Sequence, residues 1–393
     1  MSHILILDVG KTNKKCLVFD ETYKLVFEEI TVLPESADED GYPCEDIHLL
    51  SAWAKQSVEK LKNDRRFQIQ AVNIAAYGAS FVCLGANLEP LTPLYNYLKP
   101  FPEGLKKQFY DTYGTETQLA LETASPTLGS LNSGLQLYRI KHKMPEVYRQ
   151  IKYALHLPQF LAFLLHGMCF SEMTSIGCHT MLWDFGKKDY HQWVYSEGID
   201  QKMPPLTSAT AGFPTGLHDS SSALAPYLAG FSAPFVLIST GTWCISLNPF
   251  NNTPLTPEEL LNDCLCYLTP DGRPVKAARY FGGYEHEQAV QVIAHKYGLA
   301  ADFYMQQTSS GTDFMDMQYA LDEYAGMMTD LVEKQVKSTR LAIGRTPVKQ
   351  LFVDGGFSKN SMYMNLLATS FPDLEVFAAE APQSTALGAA LLR

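Results

Sequence analysis

No stretch of about 18 consecutive apolar residues occurs in the 393-residue chain, so no membrane-spanning helix is expected. Positive charge is in deficit. The 31 Lys and Arg face 42 Asp and Glu, for a net charge of −11. Surfaces that bind nucleic acid neutralise phosphates with Lys and Arg, so a general surface of that kind is not expected. Low-complexity tracts and charge blocks are missing. The start, Met-Ser-His, lacks the basic residues, apolar core and small-residue cleavage site of a secretory leader. The eight cysteines are dispersed, and Cys264 and Cys266 have no second Cys/His pair at zinc spacing. A cytoplasmic protein with reduced, structural cysteines is therefore expected.

Several catalytic signatures are missing too. There is no Gly-x-Ser-x-Gly, and no Gly-x-Gly-x-x-Gly after the first strand. His286-Glu287 is not followed by a second His, because position 290 is Val. Gly10-Lys11-Thr12 resembles the end of a P-loop, but the glycine required five residues earlier is Leu5. The surrounding pattern there is strand–turn–strand, whereas a P-loop opens a helix.

What is present is an alternation of strand-like and helix-like stretches, an α/β pattern. The length suits two domains, divided as 1–230 and 231–393. Strands are expected at 3–7, 15–20, 71–76, 235–239, 244–248 and 350–353. Helices are expected at 49–61, 133–149 (interrupted by Pro145), 158–165, 222–228, 315–341 and 385–392. The stretch 186–214 and the Pro/Asn/Thr-rich stretch 249–257 read as connections.

One pattern occurs twice. Ile4-Leu-Ile-Leu-Asp-Val-Gly10 leads through Lys11, Thr12 and Asn13 to a second apolar strand. Phe235-Val-Leu-Ile-Ser-Thr-Gly241 leads through Thr242 and Trp243 to another. Two similar hairpins heading the two halves suggest two similar domains facing each other. Turns of Gly and Thr direct N–H groups and hydroxyls at one point, which suits phosphate oxygens. Asp8 adds a carboxylate that could hold Mg²⁺ through water.

Asp219 stands in a Gly turn near the middle of the chain, just ahead of the helix expected at 222–228. It is either a proton acceptor for a substrate hydroxyl or simply the cap of that helix. His218 beside it reads as structural, since neighbours in a turn do not generally face each other. Val353-Asp-Gly-Gly-Phe-Ser-Lys-Asn360 is a strand, a glycine pair and a helix start. Glycines admit a flat ring close to the backbone, and a helix start adds donors, which suits adenosine.

In order along the chain, these pieces resemble the FGGY carbohydrate kinases of the actin-like ATPase superfamily, across nearly the whole length. The nearest types are the fuculokinase, rhamnulokinase and xylulokinase branches. Asp8-Val-Gly-Lys-Thr-Asn13 resembles the first phosphate loop, and Ser239-Thr-Gly-Thr-Trp243 the second. Ala76-Tyr-Gly-Ala-Ser80 resembles the sugar-side loop, and Gly216-Leu-His-Asp-Ser220 the loop of the catalytic Asp. Gly355-Gly-Phe-Ser-Lys-Asn360 resembles the adenosine loop, and residues 383–390 the closing helix. The chain is shorter than usual for the family and lacks its Gly-Glu-Arg-x-Pro element. Lys11 stands where Thr or Ala is commoner, and Tyr95-Asn-Tyr-Leu-Lys-Pro100 replaces the usual sugar-contact segment.

The resemblance implies two actin-like (ribonuclease H-like) domains with a nucleotide and sugar cleft between them. It implies ATP-dependent phosphorylation of a ketose or polyol, with ATP and Mg²⁺ as cofactors. Asp219 would be the base and Asp8 the metal ligand. Gly10, Lys11, Thr12, Asn13, Thr240, Gly241 and Thr242 would meet phosphates, and Gly355, Gly356 and Asn360 the adenosine. Tyr77, Gly78, Ala79, Tyr95 and Asn96 would meet the sugar. The expected partner is a small-molecule sugar, with a homodimer left open and no nucleic acid or membrane. A non-catalytic sugar or nucleotide sensor and a sugar-independent ATPase are the alternatives on this fold.

Overall fold

The computed structural model describes residues 2–210, 212–305, 314–379 and 383–393. Its two main sheets are built on one plan. The first contains β1 (His3–Val9), β2 (Lys14–Phe19), β3 (Leu25–Thr31), β4 (Ile69–Ala76) and β5 (Leu217–His218), in the order β5-β4-β1-β2-β3. β1, β2 and β3 pair antiparallel, while β4 and β5 run parallel to β1. The second contains β6 (Phe235–Thr240), β7 (Cys244–Asn248), β8 (Cys264–Leu268), β9 (Pro274–Tyr280), β10 (Gln350–Gly355) and β11 (Glu375–Ala378), in the order β8-β9-β7-β6-β10-β11. Here too an antiparallel set is followed by two strands parallel to the first, β10 and β11. The hairpin echo in the sequence marks the same topological position in both sheets.

The heading strands are apolar at nearly every position because both faces are covered. With side chains alternating across the sheet, Leu5, Leu7 and Val9 meet Leu50, Ala54, Val58 and Leu61 of α1 (Ile47–Asn63). Ile4 and Ile6 point the other way, against Ala386, Ala389 and Ala390. In the second sheet Val236 and Ile238 face α3 (Gly282–Tyr297) and α4 (Phe314–Ile343). Phe235 and Leu237 face Leu224 and Tyr227 of α2 (Asp219–Gly230).

The closing helices are exchanged. α2 follows the last strand of the first sheet yet packs on the second. The last helix, α6 (Ser384–Leu391), follows the second sheet, and α5 (Ser361–Ser370) precedes it; α6 packs on the first sheet. Asn73 at the centre of β4 donates to the carbonyls of Ala389 (3.0 Å) and Leu392 (2.8 Å), which fixes the chain end to the first sheet. α2 and α6 cross closely, where Ser222 Oγ donates to the Thr385 carbonyl at 2.7 Å.

Between β4 and β5 lies an aromatic-rich unit centred on Phe109, Tyr138 and Trp193. Pro145 divides its expected helix at 133–149 into Ser133–Lys143 and Pro145–Gln150. One expectation is corrected. The mid-chain helix begins at Asp219, so Asp219 sits in the first turn and is not ahead of it; His218 holds the cap position.

Candidate active site

In open parallel sheets ligands gather at the carboxyl ends of the strands. At that end of the first sheet, Asp8 aligns with Ala75 and Val9 with Ala76, while Leu217 and His218 align with Ala75 and Ala76 from the other side. Asp8, the 77–79 loop and Asp219 thus leave adjacent strands at one edge. In the second sheet Thr240 aligns with Gly355, so the second turn and the 355–360 loop share the corresponding edge.

The first turn is closed by Gly10 N–H donating to the Asn13 carbonyl at 2.9 Å, with Thr12 and Asn13 exposed at its tip. Lys11 Nζ pairs with Glu35 at 3.0 Å. Beneath the tip the buried Lys14 ammonium donates to the Lys11 carbonyl at 2.9 Å and pairs with Glu45, which also accepts the Tyr77 hydroxyl.

Asp8 is partly buried, and its carboxyl is pushed up to about 7 by burial; Lys15 opposes the shift, and the charges of Asp219 and Glu28 add to it. Asp8 supplies hard oxygen donors at this edge beside the charges of Asp219 and Glu28, which fits a divalent cation. Among the described residues no group of three or more His, Cys, Asp or Glu side chains could hold a metal alone.

Asp219 Oδ1 accepts from the Ser220 N–H at 2.6 Å and the Ser220 hydroxyl at 3.3 Å, and lies 3.1 Å from His218 Nε2. Among the described residues every hydrogen bond to Asp219 falls on Oδ1. The imidazole and the carboxylate approach each other without a hydrogen bond between them, and His218 is buried, with Nε2 hydrogen-bonded to Cys178 Sγ at 3.0 Å.

The second turn is closed by Gly241 N–H to the Trp243 carbonyl at 2.9 Å, with Thr242 exposed. The Thr242 carbonyl accepts the Tyr284 N–H at 3.1 Å, which seats the turn on the start of α3. The Thr240 hydroxyl donates to the Asp354 carbonyl and accepts the Phe357 N–H at 3.1 Å. Gly355 has φ +86, and a Cβ there would lie 1.8 Å from the Thr240 carbonyl oxygen. Its missing side chain thus serves strand contact rather than ring approach. Thr240, Gly241, Gly356 and Asn360 all line one cavity of about 720 Å³, a size suited to a small ligand. Tyr324, also on its wall, stacks on Tyr304 at 4.6 Å and accepts from Asn360 Nδ2 at 2.7 Å.

The expected sugar-side residues divide. Gly78 and Ala79 follow β4 at the site edge, with the Ala79 carbonyl accepting Gln136 Nε2 at 2.6 Å. Tyr77 has its hydroxyl bound to Glu45. Tyr95 donates to Glu39 at 2.9 Å beneath the Arg139 guanidinium, and Asn96 donates to the Pro43 carbonyl at 3.1 Å. These three polar groups are engaged within the protein.

Other neighbours were not singled out from the sequence. Lys15 pairs across the hairpin with Asp8, and a turn at 10–13 implies that register. The phenol of Tyr97 is raised by burial and then by the Asp219 charge, which puts Tyr97 near the carboxylate. Tyr304 and Tyr324 carry no local motif.

Behind the site, buried Glu172 accepts from Thr174 N–H at 2.9 Å, and the Thr174 hydroxyl accepts the His218 N–H at 3.0 Å. Burial pushes the Glu172 carboxyl up to about 7 against an ordinary 4.5. The folded protein therefore binds its proton more tightly than the unfolded chain does. Its contribution to stability is fully present below 4.5 and is lost as pH rises through about 7. Urea unfolding of wild type and Glu172→Gln should show wild type losing stability relative to the variant over that interval. Parallel curves would contradict the shift.

The paired sheets with exchanged closing helices are the two-domain actin-like ATPase fold. A carbohydrate kinase from Novosphingobium aromaticivorans shares it at TM-score 0.80 and 22% identity, covering 98% of this chain and 91% of that one. A xylulose kinase from Lactobacillus acidophilus does so at TM-score 0.81 and 16% identity, covering 100% and 89%. The model for the N-terminal domain of the FGGY family of carbohydrate kinases matches residues 3–223, and that for the carbohydrate kinase FGGY C-terminal domain matches residues 232–312. The chain belongs to the FGGY family of carbohydrate kinases. It is 25% identical over 275 residues to a rhamnulokinase from Halalkalibacterium halodurans, a match covering 62% of this chain and 56% of that protein. The chain thus spans about half the length of the curated relatives it matches.

Proposed function

We propose that this chain is an ATP-dependent carbohydrate kinase that transfers the γ-phosphoryl group to a hydroxyl of a ketose or polyol. The observation that carries the reading is the common edge where Asp8, the 77–79 loop and Asp219 leave parallel strands. In this reading Asp219 accepts the proton of the acceptor hydroxyl through Oδ2, while its Oδ1 stays held by the protein. Phosphoryl transfer rests mainly on alignment and charge neutralisation. The turns Gly10–Asn13 and Thr240–Thr242 take the phosphates from two sides, with Lys11 leaving Glu35 for a phosphate oxygen. Asp8 would hold Mg²⁺, which supplies neutralising charge when bound. Gly356 and Asn360 receive the adenosine in the 720 Å³ cavity, and Gly355 shapes its floor. Sugar contacts come from Gly78, Ala79 and Tyr97, with Tyr77, Tyr95 and Asn96 shaping the pocket from behind. The domain division is 1–230 and 231–393, with α6 lodged on the first sheet. A cytoplasmic location completes the reading, with a homodimer left open.

ADP release measured with and without a panel of pentuloses, hexuloses and polyols tests it. At least one sugar should raise release severalfold. Release that ignores sugar would indicate an ATPase instead, and absence of release with every sugar a sensor.

A further inference from the structure

The buried ammonium beneath the first turn has no task in the reading above. Lys14 stands in β2 opposite Val9 of β1. Opposite residues of an antiparallel pair share a face, so Lys14 lies with Val9 on the side that packs α1. Its side chain is only 2% exposed. Nζ donates to the Lys11 carbonyl at 2.9 Å. Its charge is paired with the equally enclosed Glu45, the residue before the cap of α1. Glu45 also accepts the hydroxyl of Tyr77, whose N–H donates to the Val9 carbonyl at 3.1 Å. A buried lysine is uncommon. This one is enclosed by the first sheet, the start of α1 and the loop after β4.

The consequence runs through a single peptide unit. The Lys11 carbonyl and the Thr12 N–H belong to the same planar group, and in a trans peptide they point in opposite directions. With the carbonyl held from beneath by the ammonium, the N–H is turned out at the exposed tip. There it makes no hydrogen bond among the described residues. Outward N–H groups of a turn form the concavity in which phosphate oxygens bind.

We propose that Lys14 is a positioning residue for the first turn: its ammonium holds the Lys11 carbonyl inward and so presents the Thr12 N–H to a phosphate oxygen of the nucleotide. This role rests on the reading of 10–13 as a phosphate turn. Lys14 itself lies beneath the turn and touches no substrate. An apolar side chain at 14 would leave the carbonyl without its partner, and an unpaired buried carbonyl is costly. The peptide then turns toward water and carries the Thr12 N–H away from the tip. One hydrogen bond to a charged acceptor is lost, which lowers affinity for the phosphate-bearing nucleotide by about 10-fold or more. Adenosine binding is untouched, because its cavity is built from the second sheet and its loops.

Removing Lys14 alone would strand the Glu45 charge in the interior, so the test variant removes both charges. Lys14→Met/Glu45→Gln keeps side chains of similar length and an oxygen for the Tyr77 hydroxyl. Calorimetric titration should show a non-hydrolysable ATP analogue bound about 10-fold more weakly than by wild type, and adenosine within about twofold. Glu45→Gln alone keeps Lys14 at the carbonyl and should bind the analogue within about threefold of wild type. Unchanged analogue affinity in the double variant, equal losses for analogue and adenosine, or a loss as large in Glu45→Gln would overturn the positioning role. A second measurement needs no variant. Lys11-Thr12 is the only Lys-Thr pair in the sequence. Carbonyl-labelled lysine with nitrogen-labelled threonine therefore gives one NMR signal for that peptide. The Thr12 amide proton should shift on adding the analogue with Mg²⁺ and stay in place on adding adenosine. If the double variant fails to fold, this signal decides alone. A signal that ignores the analogue, or moves equally with both, would overturn the proposal even where a sugar stimulates ADP release. If no sugar stimulates release while the Thr12 signal still answers to the analogue, the kinase reading falls and the phosphate donor stands.

Discussion

Asp219→Asn is expected to lower sugar phosphorylation by about 10²- to 10⁴-fold, the usual worth of a positioned general base, and to leave ADP affinity within about twofold. Asparagine keeps the shape of the side chain, and its amide oxygen can accept from Ser220 as Oδ1 does. What it removes is the basic oxygen that takes the proton. Nucleotide affinity should survive because the 720 Å³ cavity is built from the second sheet and its loops, whereas Asp219 opens α2 at the edge of the first. Rates by coupled ADP release and affinity by calorimetric titration check both halves. Turnover near wild type would remove Asp219 from the chemistry.

The second large effect concerns stability. Gly388 lies inside α6, where helix propensity alone makes Gly388→Ala stabilising by about 1 kcal/mol. Its surroundings predict the reverse. A Cβ at 388 would lie 1.8 Å from the backbone carbonyl oxygen of Ser222, within the crossing of α2 and α6. The obstacle is main chain, so one helix must move. Each helix is buried on the sheet of the opposite domain, so that movement disturbs two cores at once. Overpacking of this kind costs about 1–3 kcal/mol or more, which outweighs the propensity gain. Gly388→Ala should therefore unfold at lower temperature than wild type. Gly104→Ala, in a helix with nothing within 4 Å of the new Cβ, should unfold at the same temperature or slightly higher. A Gly388→Ala protein as stable as wild type would mean that the two helices are free to slide apart.

Elements with a strong period were legible in the sequence. The heading strands announced themselves by unbroken apolar runs and α1 by its spacing at 50, 54, 58 and 61. The repeated hairpin disclosed that two sheets share a plan, because strand–turn–strand is a local signal. The exchange of closing helices was not legible. α2 and α6 are short helices rich in small residues, and such faces fit either sheet; only the close crossing at Ser222 and Gly388 tells which. The turns at Gly10 and Gly241 were legible because the backbone closes them locally. Side chains were harder to assign, because the polar groups of Tyr77, Tyr95 and Asn96 meet partners 32, 56 and 53 residues away in the chain.

The account stands or falls on where the reacting groups lie when both ligands are bound. A crystal structure with Mg²⁺, a non-hydrolysable ATP analogue and the stimulating sugar measures this directly. The predicted result has the β- and γ-phosphates touching both Gly10–Asn13 and Thr240–Thr242, with Asp219 Oδ2 about 3 Å from one sugar hydroxyl. Phosphates held by one turn alone, or a sugar whose hydroxyls all face away from Asp219, would contradict it.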